Sequence, residues 1–105
     1  MSESDIFERM RQLSLEIIPP GGSVWLYGSR ARGTAHEDSD WDLLILLDKD
    51  SIDAADYRQI ARPFTELGWT VDALIVPQIY THKEWNQMSF MPYYKNVVQD
   101  KRVVL

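Results

Sequence analysis

The chain contains no cysteine, which removes disulfides, thiolate metal sites and cysteine nucleophiles together. It has no apolar run approaching membrane-spanning length. Its first residues include Glu3, Asp5 and Glu8, where a secretory leader needs basic residues followed by an apolar stretch, so a cytoplasmic location is expected. Positive charge is scarce: 11 Lys and Arg stand against 16 Asp and Glu, for a formal net charge of −5. Nonspecific affinity for phosphate backbones comes from Lys and Arg displacing counterions, so direct nucleic-acid binding is not expected and a neutral or basic protein partner fits better. The two histidines, His36 and His82, have no metal-ligand spacing around them and read as surface residues. No serine sits in a nucleophile elbow, and Gly28 to Gly33 lacks the Gly-Lys-Ser/Thr ending of a P-loop, which argues against kinase-like and P-loop ATPase chemistry.

What is present is the composition of a folded protein. Hydrophobic residues make up 45% and charged residues 26% of 105 positions, enough for one domain spanning 1–105 and too little for a second, substrate-recognising one. Ile6, Phe7, Met10, Leu13 and Ile17 recur at helical spacing after Ser2 or Ser4, and Pro19-Pro20-Gly21-Gly22 stops that helix. Ser23 to Tyr27 reads as a short buried strand. Arg30 to Ser39 reads as a helical turn and a loop, and Asp40 to Asp48 as a central strand covered on both faces. Ala54, Tyr57, Ile60, Ala61, Phe64 and Leu67 mark a second amphipathic helix, bent at Pro63 and closed by Gly68. A third strand is expected over Trp69 to Val76, ended by Pro77. Thr81 and Glu84 have capping-box spacing, so a helix is expected from His82, restarted at Pro92, before an edge strand at Val103 to Leu105. The order is that of an α/β domain with a mixed sheet flanked by helices. Trp85, Phe90, Met91, Tyr93 and Tyr94 are expected mainly in the core, with a partner-binding face as the alternative.

The chemistry is concentrated between Gly28 and Asp42. A strand ending in Gly28-Ser29 before a helical turn offers backbone N–H groups and a hydroxyl where glycine permits close approach, a corner suited to phosphate oxygens. Asp40 and Asp42 lie two apart, so on a strand both carboxylates face one way and repel unless a cation sits between them. Mg²⁺ takes such oxygen ligands and couples them to substrate phosphates. Asp72 interrupts the apolar run Val71, Ala73, Leu74, Ile75 and Val76, where a carboxylate needs a purpose. Placed beside Asp40 and Asp42, it would complete a site for two metal ions. Taken singly, Gly28-Ser29 is better explained as a simple turn and the Asp40, Asp42 pair as a solvated strand entrance, and Asp72 as a helix cap or a partner of Arg30 or Arg32. Together they favour a metal–nucleotide site.

Gly28-Ser29, ten intervening residues and Asp40-Trp41-Asp42, with Asp72 further on, resemble the signature of the DNA polymerase β-like nucleotidyltransferase superfamily. The small size resembles its minimal nucleotidyltransferase (MNT) branch, whose members pair with HEPN-domain proteins as antitoxin and toxin. The resemblance covers roughly Ser23 to Val76. It implies the polymerase β-like fold, with Gly28 and Ser29 holding a triphosphate, Arg30 assisting, and Asp40 and Asp42 ligating two Mg²⁺ ions. It further implies that Asp72 ligates the ion activating an acceptor hydroxyl. The implied reaction moves AMP from ATP to a tyrosine of a HEPN toxin partner. The alternatives are an antitoxin that works by binding alone, or transfer to a small molecule or an RNA end.

Overall fold

Each end of the first helix is written locally. In the computed structural model, which describes residues 1–105, helix α1 (Glu3–Ile17) opens with a capping box: the Asp5 N–H donates to the Ser2 hydroxyl and the Ser2 N–H to the Asp5 carboxylate. These bonds satisfy donors that a helix start otherwise leaves free. Pro19 and Pro20 then end it. Strand β1 (Ser23–Tyr27) runs into the four-residue helix α2 (Ser29–Arg32), and a loop leads to β2 (Trp41–Leu47). Helix α3 (Ala54–Asp56), capped by Asp53, passes through a π-helical stretch at Tyr57–Ala61 into α4 (Arg62–Thr70). Strand β3 (Ile75–Thr81), helices α5 (His82–Gln87) and α6 (Pro92–Asp100), and the short strand β4 (Arg102–Val103) complete the chain.

The sheet is mixed, in the order β3-β2-β1-β4. β1 runs antiparallel to β2 and β4, whereas β2 and β3 are parallel, with Trp41 beside Ile75, Asp42 beside Val76 and Leu46 beside Tyr80. Alternation along β2 feeds two cores. Trp41, Leu43, Ile45 and Leu47 join Ile6, Met10, Ile60 and Phe64 under α1 and α4, while Leu44 and Leu46 pack with Trp85 and Val97 of α5 and α6. The continuous apolar run in β2 therefore has the cause expected of it: both of its faces are covered. No helix is long and apolar enough to cross a membrane.

The third strand departs from the sequence reading. Helix α4 continues past Gly68 to Thr70, and β3 begins at Ile75, with Pro77 inside it. Proline is tolerated there because β3 lies at the sheet edge. Gly68 serves close packing rather than a stop, since a Cβ on it would stand 2.6 Å from the Ala73 carbonyl oxygen. The expected bend at Pro63 is instead the first turn of α4, directly after the π stretch. At the far edge Val24 exchanges backbone hydrogen bonds with Val104 and Leu105, so the C-terminal segment docks where an edge strand was expected.

Candidate active site

The turn from β1 into α2 sets the geometry. Gly28 sits at φ 76° and ψ −158°, a region essentially closed to residues with a Cβ. A Cβ at that position would also lie 2.5 Å from Oδ2 of Asp42. Glycine is thus required twice, once by the backbone and once by the carboxylate resting against it. Register explains the proximity, because Tyr27 is the direct cross-strand partner of Asp42 and the next residue closes over it. Ser29 follows, half-buried, at the first position of α2. Asp40 stands exposed one residue ahead of β2, and strand alternation turns it to the same side as Asp42.

Asp42 is the half-buried member of this pair, and its carboxyl is held above the ordinary aspartate range by burial first and by the Asp40 charge second, with Arg32 opposing. Two neighbouring carboxylates beside a glycine cradle suit an oxygen-seeking divalent cation bringing phosphate oxygens of its own. The donor set fits one such Mg²⁺–triphosphate. It does not fit two ions held by three carboxylates, because nowhere in the chain do three His, Cys, Asp or Glu side chains converge as a metal site.

Asp72, expected as the third carboxylate, lies elsewhere. It is exposed, between α4 and β3, with φ at 55°. The Ala73 N–H beyond it donates to the Gly68 carbonyl at 2.9 Å, the six-to-one bond that closes a helix through a left-handed residue. Aspartate is among the few residues that tolerate this conformation. Asp72 is therefore a helix terminator. The positions level with Asp40 and Asp42 are held instead by Leu74, just ahead of β3, whose carbonyl accepts from Trp41 N–H, and by Val76 on β3.

Arg30 is turned inward. Its side chain is only 7% exposed. Nε donates to the Ser39 carbonyl, Nη2 to the Ser39 and Glu37 carbonyls, and Nη1 to the Glu3 carboxylate, while the guanidinium lies 4.7 Å from the Trp41 ring centroid. Its donors are spent on the loop that delivers Asp40, so it positions the site without reaching toward a phosphate. This also accounts for the bulky Trp41 between the two aspartates: it faces the core and carries Arg30 on its ring.

Sequence reasoning missed the tyrosines beside Asp42. The Tyr93 hydroxyl donates to that of Tyr27 at 3.3 Å, and both phenols are pushed upward, mainly by burial and in part by the Asp42 charge. Tyr27 was accessible from the sequence, since it precedes Gly28 on the strand, whereas Tyr93 arrives only when α6 packs on the sheet. His36 is exposed, and His82 bonds to the Gly21 carbonyl at 2.8 Å. Neither approaches the aspartates as a ligand. Trp85, Tyr93 and Tyr94 pack into the second core, with Trp85 and Tyr94 stacked at 4.7 Å, while Phe90 stands exposed.

Comparison with known proteins places the chain by family and by fold. A model of the nucleotidyltransferase domain family matches residues 4–105. No curated protein matches the sequence significantly. Among solved structures, the crystal structure of a toxin–antitoxin with AMP-PNP aligns with a TM-score of 0.61 at 20% identity, covering 100% of this chain and 73% of that one. The tri-AMPylated Shewanella oneidensis HEPN toxin in complex with MNT antitoxin aligns with a TM-score of 0.60 at 14% identity, covering 99% and 72%. An aspartate-to-glutamate double mutant of the toxin–antitoxin MntA–HpeT aligns at 0.59 and 18%, covering 100% and 73%. At these identities the likeness is one of fold.

Proposed function

Because the chain belongs to the nucleotidyltransferase domain family, we propose that it binds Mg²⁺–ATP through Gly28, Ser29, Asp40 and Asp42 and transfers AMP to a hydroxyl of a HEPN-type partner, acting as its antitoxin. The observation that carries this reading is the Asp42 carboxyl resting against Gly28, with Asp40 turned the same way. The corner formed by Gly28 and Ser29 leaves backbone N–H groups for phosphate oxygens, as the first turn of a helix does. Mg²⁺ bound by Asp40 and Asp42 would neutralise charge on the triphosphate. The acceptor oxygen forms its bond to the α-phosphorus, the bond to the β-phosphate oxygen breaks, and pyrophosphate leaves. Arg30 keeps the Asp40 loop in place throughout.

The partner is suggested by the fold neighbours, which include a HEPN toxin carrying AMP and bound to its antitoxin. A tyrosine as the modified residue rests on the family resemblance. The test is incorporation of label from α-labelled ATP into a co-expressed HEPN protein, with Asp40→Asn and Asp42→Asn each abolishing it. Tight Mg²⁺–ATP binding without transfer to any partner sinks the enzymatic half. A second reading, neutralisation by binding alone, is favoured by one observation, the absence of a third carboxylate at the pair. Under it the aspartate substitutions leave neutralisation intact and the complex persists without nucleotide.

A further inference from the structure

The sheet next to Asp40 and Asp42 is apolar where a two-ion site needs its third carboxylate. Parallel register pairs Asp42 with Val76, and residues level with one another on adjacent strands project to the same face. Leu74, one pleat earlier and level with Asp40, is exposed to 55%. Asp72 cannot move in to substitute without undoing the end of α4, because its left-handed backbone and the Ala73-to-Gly68 hydrogen bond form that end. On the other flank stand Tyr27 and Tyr93, whose hydroxyls are engaged with each other at 3.3 Å.

We infer that this chain holds a single divalent ion with its nucleotide and carries no base of its own for the acceptor. The proton leaving the acceptor hydroxyl, as its oxygen bonds to the α-phosphorus and pyrophosphate departs, passes to a carboxylate or imidazole supplied by the partner protein. The inference rests on the nucleotide-binding reading above. It adds a requirement that this reading alone does not make: the acceptor must come embedded in a protein surface that brings the missing group. The exposed Leu74 beside Val76 gives that surface an apolar lip on which to seat.

The ion count tests this directly. Mn²⁺ is titrated into the full chain with a non-hydrolysable ATP analogue and counted by electron paramagnetic resonance. One tightly bound ion per chain is expected in the wild type and in Asp72→Asn. A second ion is expected in Val76→Asp, or in Leu74→Asp should the half-buried Val76 position disturb folding. Two ions in the wild type, with one lost in Asp72→Asn, overturn the inference alone. No binding of Mn²⁺ and analogue at all overturns the nucleotide site as well. If neither added aspartate, in a folded variant, brings a second ion, the assignment of the third position to β3 is wrong. Transfer to a free phenolic compound gives the functional readout: it should be negligible in the wild type and rise at least tenfold in whichever aspartate variant gains the ion. Equal rates in wild type and variant overturn the requirement for an acceptor-borne base.

Discussion

At the scale of single residues, the site is constructed from groups that are unfavourable for the free protein. Burial and Asp40 raise the proton affinity of Asp42 in the folded chain. Between the ordinary aspartate value and this raised one the folded state holds more proton than the unfolded, so stability falls as pH rises through that window and stays lowered at neutral pH. Asp42→Asn is therefore expected to raise the melting temperature of the ligand-free protein at pH 7. The gain should shrink toward zero in acid, below the ordinary aspartate range. A melting curve that drops at pH 7 contradicts this account of the carboxylate. Gly28→Ala should act in the opposite sense, costing about 1–3 kcal/mol from backbone strain and displacing Asp42, so that nucleotide affinity measured by calorimetry falls with stability. Arg30→Met strands the Ser39 and Glu37 carbonyls and should destabilise by about 1–3 kcal/mol in chemical denaturation. Glu3→Gln, at the exposed end of the same ion pair, should cost under about 1 kcal/mol.

At the scale of elements, helix ends decide more than helix interiors. The capping box at Thr81 was readable as a local pattern, and Ser2 as one of two N-cap candidates, because capping is a matter of four consecutive residues. Thr81→Ala should cost about 1 kcal/mol, measurable by denaturant midpoint. The end of α4 was not readable in the same way. Gly68 looked like a stop and Asp72 like a strand residue, yet the left-handed position fell on Asp72, because Gly68 was needed for contact with the turn after it. Asp72→Gly should consequently be neutral or stabilising by up to about 1 kcal/mol, whereas Asp72→Val should destabilise by about 1–2 kcal/mol. A large loss of nucleotide binding in Asp72→Gly, with stability kept, would return Asp72 to the site.

At the scale of the whole molecule, β2 is the shared wall of two cores, since Leu43 faces α1 and α4 while Leu44 faces α5 and α6. Truncating either to alanine should cost about 2–5 kcal/mol, and the two costs test by double-mutant cycle whether the cores act independently. The sequence by itself determined the strand–turn–strand frame: the Gly28-Ser29 corner, the Asp40 and Asp42 pair and the doubly buried run of β2 follow from alternation, glycine chemistry and apolar pattern, all local properties. The tertiary structure alone decided which distant residues share that corner. Register between parallel strands is set by the packing of α4 against the sheet, and a helix three residues longer than expected carried Asp72 out of β3 and left Val76 level with Asp42. Docking of α6 likewise brought Tyr93 to Tyr27, a contact across 66 positions that no periodicity encodes. Spacing along the chain limits what neighbours can do, but a site that needs a third ligand from another strand depends on where the intervening helix ends, and that is settled by packing.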